Sequence, residues 1–429
     1  MKEFLKKIII AILSFEAKIL LRRTHPYIIA ITGSVGKTSI KDVVYEILKD
    51  SMHVRKSEKS FNSEIGVPLS VLGLPNAWSN PFLWLKNIFD GAVIAFHPGI
   101  YPKTLILEMG VDRPGDMDRL TSWIRPDVVI LSRLPDVPVH VEYFDSPEAV
   151  ALEKQKLVNA LKPDGVLVYN QDDERILKVV EETIQQSIGY SRYSFSPFTA
   201  SADKVIYENG KAVGLEFLLT HLDKTVSMFV RGSLGVQHAY NYAAGAAVAS
   251  VFNIDVESVK RALGDHLPPP GRMRLIQGIK DTLLIDDTYN SSPTASERAL
   301  ATLSELRGVK RRIAVMGDMM ELGQFSIREH ERIGRIVAKS ADILVTIGVR
   351  ARSFSKGAIE QGMSEKNIFE FEDALQAGKE LQTFIKSGDV LLVKGSQSIR
   401  AERFVEELMA EPELAEDLLV RQDAMWKSI

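Results

Sequence analysis

The chain of 429 residues contains no cysteine. That excludes disulfides, thiolate metal sites and cysteine nucleophiles, and it suits a reducing cytoplasm. It also lacks a charge excess of either sign: the formal net charge is −3, so no global field points to nucleic acid. No internal repeat or low-complexity tract is visible. Long hydrophobic runs are missing too. In the N-terminal segment "MKEFLKKIIIAILSFEAKILLRR" the longest uncharged stretch is Ile8 to Phe15, eight residues, against the roughly 20 needed to span a bilayer. No small-residue cleavage site follows it, which argues against a signal peptide. Residues 1–25 therefore read as a basic amphipathic helix, either packed on the protein or lying on a membrane surface. Six Lys/Arg against two Glu in the first 23 residues would favour anionic lipid in the second case.

What is present is an ordinary globular balance, 45% hydrophobic and 25% charged, and a length suited to two or three domains. The runs "YIIAITG", "TLILEMG", "DVVILSRL" and "GVLVYN" are short, rich in β-branched residues and Leu, and not alternating. They predict strands of a parallel sheet covered on both faces. "KVIYENGKAVGLEFLL" carries Asn209-Gly210 between strand-like runs and predicts a hairpin. "GVQHAYNYAAGAAVASVF" predicts a buried helix. The prolines at 268–270 and Gly271 predict a boundary. Beyond it, "TLLIDD", "RIAVMGD", "DILVTIG" and "VLLVKGS" predict a second α/β unit, and "EPELAEDLLVRQDAMWKSI" a terminal helix. The expected fold is α/β: a P-loop-type central domain with a mostly parallel sheet over 26–267, then a Rossmann-like domain over 268–429.

One loop carries explicit chemistry. In "ITGSVGKTS", Gly33 and Gly36 let backbone N–H groups close on phosphate oxygens, and the following helix adds its N-terminal partial charge. Lys37 can reach the β and γ phosphates, and Thr38 can ligate Mg²⁺. The spacing between the glycines is two residues shorter than in G-x-x-x-x-G-K-[ST]. Glu108, closing "LILEMG", is a candidate further ligand, and His140 in "VPVHVEYF" is one of only eight histidines.

Taken in order, "TGSVGKTS", "FNSEIGVP", "LEMG", the His140 loop, "EKQKLV", "LVYNQDD", "GRM", "DDTYNSSPTA", "GDMMELG" and "KGSQS" resemble the Mur ligases, the ATP-dependent amide ligases of peptidoglycan precursor synthesis. "DDTYNSSP" with "GDMMELG" favours the branch that adds D-alanyl-D-alanine. The resemblance covers roughly Pro26 to Glu407. It implies ATP and Mg²⁺ as cofactors and a mechanism in which a peptide carboxylate becomes an acyl phosphate that the incoming amine attacks.

The resemblance also assigns positions. Gly33, Ser34, Gly36, Lys37, Thr38 and Ser39 would hold ATP phosphates, and Thr38, Glu108 and His140 would hold metal. Lys154 would be the lysine that the family carbamylates, preferred by alignment over Lys156. Asn62 would sit near substrate and γ-phosphate. His238, Asn241, Arg272, Asp287, Tyr289 and Asn290 would contact nucleotide, with Pro293 shaping the loop. Lys394, Gly395 and Ser396 would face the amine substrate. Asn170 and Asp173 also fit an ordinary turn. The implied partners are a peptide-bearing cell-wall precursor and an amino acid or dipeptide, in a cytoplasmic monomer serving cell-wall biogenesis, shape and division. The phosphate-loop strand begins after only 26 residues, so the family's N-terminal uridine-nucleotide domain is expected to be absent. That leaves other acceptors open, namely polyglutamate, cyanophycin-like or pseudopeptidoglycan chemistry, besides a non-catalytic ATP-binding scaffold.

Overall fold

The structure, a computed structural model, describes residues 2–58, 61–78, 80–423 and 426, with the side chains of 2 and 3 left aside. Its strands form two sheets. The first contains β1 (Tyr27–Thr32), β2 (Val54–Lys56), β3 (Thr104–Glu108), β4 (Val128–Leu131), β5 (Val166–Asn170), β6 (Gln186–Ser191), β7 (Phe198–Glu208), β8 (Lys211–His221) and β9 (Lys224–Arg231), in the order β2-β3-β1-β4-β5-β6-β7-β8-β9. Pairing is parallel from β2 through β7 and antiparallel from β7 to β9. The second contains β10 (Arg274–Gly278), β11 (Thr282–Asp287), β12 (Arg311–Gly317), β13 (Ile343–Ile347), β14 (Ile368–Phe371) and β15 (Asp389–Lys394), in the order β10-β11-β15-β12-β13-β14. Only β10 runs antiparallel to its neighbour there.

The non-alternating apolar runs have a direct physical reading. In β1, Ile29 and Ile31 enter one core while Ile28 and Ala30 enter another on the opposite face. In β15, Val390 and Leu392 face one core, Leu391 and Val393 the other. Both sheets are covered on both sides, so neither face of a strand can be polar. The Ala-rich helix Gln237–Val251 is buried from His238 to Ala249. Its small residues allow close packing: a Cβ on Gly245 would lie 2.5 Å from Val43 of the phosphate-loop helix. The hairpin forms at Asn209-Gly210, both with positive φ (51° and 80°), which a two-residue turn between right-twisted strands requires. The short strands β2 and β14, the edge strand β10, and β6 and β9 lie outside the runs that the sequence marked.

The C-terminal segment departs from expectation. It is not one helix among the described residues. A 3₁₀ turn at Pro412–Leu414 leads into Ala415–Leu418, and the chain then extends; residues 424, 425 and 427–429 lie outside the described set. Tertiary contacts override local propensity here. The guanidinium of Arg421, a residue with φ 59°, donates to Glu402 Oε2 at 2.6 Å and to the carbonyls of Thr288 and Tyr289 at 2.5 and 3.1 Å.

The N-terminal helix Lys2–Thr24 packs Leu13, Ala17, Leu20 and Leu21 into the core shared with β1. Glu16 is carried inward with them. Its carboxylate faces Gly91 of the helix Pro81–Phe96, where a Cβ would lie 2.2 Å from Oε2. Burial pushes the Glu16 carboxyl up from 4.5 to about 7. The folded chain thus holds a proton that the unfolded chain releases between those values, and stability declines as pH rises through that window. Glu16→Gln is expected to stabilise the protein at pH 8 by about 1–2 kcal/mol, after allowing for solvent screening. The gain should vanish near pH 4. Thermal melts of both proteins at the two pH values check this, and equal melting temperatures at pH 8 would refute it.

Candidate active site

β1 lies between β3 and β4; its connection runs to β2 on one side while that of β4 runs to β5 on the other, which opens a crevice at their carboxyl ends. The phosphate loop occupies that end. Gly33 and Gly36 have φ 131° and 90°, a region open to glycine and strained for other residues. Space excludes a side chain at Gly33, where a Cβ would lie 2.1 Å from Ser132 Oγ, and is tight at Gly36, where it would lie 3.0 Å from Asn241 Oδ1. Gly36 caps the helix Lys37–Leu48. The Lys37 ammonium folds back to donate to Gly33 O at 2.9 Å. Burial holds its pKa below the ordinary lysine value and Arg272 adds to that, while Glu108 opposes.

Glu108 ends β3 in register with Ile31 and is 1% exposed. Its carboxylate is held from several sides. Thr38 Oγ1 donates to Oε2 at 3.0 Å, Asn62 Nδ2 donates to Oε1 at 3.0 Å, and Lys41 Nζ lies 3.7 Å from Oε2. The sequence reading missed Lys41. A lysine four residues after Lys37 on the buried face of a helix was the available signal, since a charge in an apolar stripe needs a partner.

Lys154 and Lys156 separate as helix geometry requires. Lys156 pairs with Asp118 and Glu153 at 2.5 and 2.7 Å near the surface. Lys154 is buried. Burial, with the positive charge of Lys37, lowers its pKa to about 7. Near neutral pH much of it is therefore free amine.

His140, with φ 68°, rests its Nδ1 2.7 Å from Glu321 Oε2 and its Nε2 3.6 Å from Asp112 Oδ1. Glu321 follows β12 of the second sheet, so this contact joins the two halves. Tyr289, also from the second half, lines the same cleft as Thr38. Arg272 stacks on the Tyr289 ring at 3.9 Å. His238 is buried, its pKa lowered to about 4 by burial, and its Nε2 lacks a partner. Ser34 Oγ, Gln237 Oε1 and Arg272 Nε are likewise unpartnered and buried. These residues line one cleft of about 1190 Å³ between the sheets, together with Lys37, Thr38, Ser39, Asn62, Glu108, His140, Asn241, Asp287, Asn290, Lys394 and Ser396. Gly33 and Lys154 stand behind that lining.

Four of the expected contact residues have internal duties. Lys394 donates to Asp287 Oδ2 at 2.6 Å and to Asn290 O at 2.9 Å, which ties the ends of β15 and β11 together. Ser396 Oγ accepts from Met320 N at 2.9 Å. Beneath them Asp286, missed in "DDTYN", accepts from Gly271 N and from both Thr288 N and Oγ1. Asn170 and Asp173 fill the turn role: Asn170 Oδ1 accepts from Asp172 N, and Asp173 caps the helix Glu174–Glu181.

The donor set suits a hard divalent cation. Among the described residues no three His, Cys, Asp or Glu side chains gather as a metal cluster. Thr38 Oγ1 and Glu108 instead offer oxygens beside the phosphate loop, with the remaining positions left to phosphate oxygens and water, as Mg²⁺ prefers.

Comparison with known proteins agrees with the fold. Residues 31–82 and 99–249 match the Mur ligase middle domain, and residues 271–397 match the Mur ligase glutamate ligase domain. The UDP-N-acetylmuramoyl-tripeptide–D-alanyl-D-alanine ligase of Bacillus subtilis is 27% identical over 399 residues, which are 92% of this chain and 79% of that one. The ligase of that name from Escherichia coli is 28% identical, over 89% and 76%. Among solved structures, the Thermotoga maritima MurF ligase in complex with ADP superposes with TM-score 0.75 at 25% identity, covering 94% of this chain and 84% of that one. A MurF from Acinetobacter baumannii shares the fold, with TM-score 0.76. The two domain matches together span well over half of the sequence, and the chain belongs to the Mur ligase family.

Proposed function

We propose that this ATP- and Mg²⁺-dependent ligase activates the terminal carboxylate of a peptide-bearing cell-wall precursor and joins it to D-alanyl-D-alanine. One observation carries the chemistry: Lys37, Thr38, Glu108 and Lys154 gather at the carboxyl end of β1 and β3, the last three of them buried, where crowded anions must be positioned and neutralised. The dipeptide comes from the names of relatives 26–28% identical over about nine-tenths of the chain.

A free carboxylate acylates poorly because oxide is its leaving group. Transfer of the γ-phosphoryl group to it makes phosphate the leaving group. The amine then attacks, loses a proton, and the tetrahedral adduct collapses to amide and phosphate. In this reading Gly33, Gly36 and Lys37 cradle the transferring phosphates, and Asn62 fixes the Glu108 carboxylate. Arg272 brings positive charge from the second half. His238 and Asn241 line the nucleotide side. Thr38 and Glu108 would hold one Mg²⁺ and His140 a second, which would neutralise phosphate charge in the transition state. Lys394 acts by position: it fixes Asp287 and the Asn290 loop where the amine would enter.

Lys154 fits carbamylation. Its free amine adds CO₂ and loses one proton, giving an anionic carbamate. Beside Lys37, that replaces a like-charge repulsion with an attraction and supplies a hard oxygen ligand.

The test is ADP release by the purified chain against a panel of acceptors and amines. Release that needs both UDP-N-acetylmuramoyl-tripeptide and D-alanyl-D-alanine supports the assignment. Release driven equally by glutamate overturns the amine, and no amine-dependent release at all leaves only a nucleotide-binding scaffold.

A further inference from the structure

Two neighbouring helices present apolar stripes to solvent. On Pro81–Phe96 the stripe is Phe82, Leu85, Phe89, Val93 and Phe96, continued by Ile100; Phe82, Phe89 and Ile100 are 79%, 69% and 93% exposed. On Lys2–Thr24 it is Phe4, Ile8, Ala11 and Phe15. At 3.6 residues per turn the two stripes span about 80° and about 60° of their helices, respectively. The helices touch through Glu16 and Gly91, and their opposite faces are already buried in the core. Exposed apolar stripes of this kind mark an interaction site.

Charge identifies the occupant. On Lys2–Thr24 the same stripe continues into Lys18 and Arg22, and Lys7 flanks it. Lys86 flanks the other stripe, with Asp90 at 2.5 Å. Glu16 is the one carboxylate among the described side chains of the N-terminal helix, and it is buried. This face is cationic on a chain whose net charge is −3. A second copy seated here by a twofold would set Lys7, Lys18 and Arg22 against their own kind. No helix among the described residues is long and apolar enough to cross a membrane, so the geometry is that of a face lying in the plane of an interface.

We infer that the paired faces of Lys2–Thr24 and Pro81–Phe96 form a docking surface for an anionic phospholipid bilayer. Phe82, Phe89 and Phe15 enter the acyl boundary while Lys7, Lys18 and Arg22 meet the headgroups. The ligase would then work at the membrane surface whatever its acceptor.

The test is flotation of the full chain with vesicles of phosphatidylcholine alone or mixed with phosphatidylglycerol. Binding to the mixed vesicles only, weakening with salt, is expected. Phe82→Glu with Phe89→Glu should cut partitioning at least about tenfold, and Lys7→Glu with Arg22→Glu should do the same. ADP release should be unchanged in both. Failure of the wild-type chain to float with mixed vesicles overturns the inference. So does equal flotation of the Phe82/Phe89 variant, or a wild-type dimer in sedimentation equilibrium that this variant converts to monomer.

Discussion

Replacing Lys37 with alanine is expected to reduce ADP release at saturating ATP by about 10²–10³-fold, the usual cost of removing one preorganised charge donor from a transition state. The ammonium already sits at the phosphate loop, 2.9 Å from Gly33 O, so little reorganisation separates it from an incoming phosphate. Its burial, which depresses its pKa, means the folded protein carries an awkward charge there for the sake of that contact. Lys37→Ala should therefore melt no lower than the parent while losing turnover. Undiminished kcat in a folded Lys37→Ala protein would remove the phosphate loop from the mechanism.

Lys154→Ala is expected to lose about as much, at least about 10²-fold in kcat, and bicarbonate should not restore it. The parent should respond to bicarbonate with a definite sign. The Lys154 amine is neutral above about pH 7, so carbamate forms readily at pH 8 and is disfavoured at pH 6, where added bicarbonate should raise the rate most. A readout independent of turnover is the carbamate carbonyl signal in carbon-13 NMR after labelling with ¹³C-bicarbonate, present in the parent and absent from Lys154→Ala. Ordinary activity in the variant would show that Lys154 is only a buried lysine.

The legible parts of this fold are those in which one physical cause dominates. Strands buried on both faces must be apolar throughout, so β1, β3, β4, β5, β11, β12, β13 and β15 stood out. Asn209-Gly210 has few conformational alternatives, and the hairpin followed. β10 and β14 are edge strands, each paired on one side only, and their residues carry no unbroken apolar run. The tail read as a helix because its composition favours one; the contacts of Arg421 with Glu402 and the 288–289 carbonyls decide otherwise. In the site, motif order brought Lys37, Thr38, Glu108 and His140 to one cleft. It did not show that Lys394 would be held by Asp287, or that Lys41 and Glu321 would stand beside Glu108 and His140. Those are pairwise facts between distant segments, and neither spacing nor composition encodes them.

The contact between His140 and Glu321 couples two quantities that are usually measured apart. A cation drawn to His140 meets a ring whose orientation depends on a carboxylate from the other half of the molecule. Linkage is reciprocal. Whatever free energy the seated second half adds to cation affinity, the cation must return as resistance of the halves to separation. With the second cation held by His140 as proposed, magnesium titration would also measure interdomain cohesion, and a Glu321 substitution that weakens the coupling would weaken it equally in both directions.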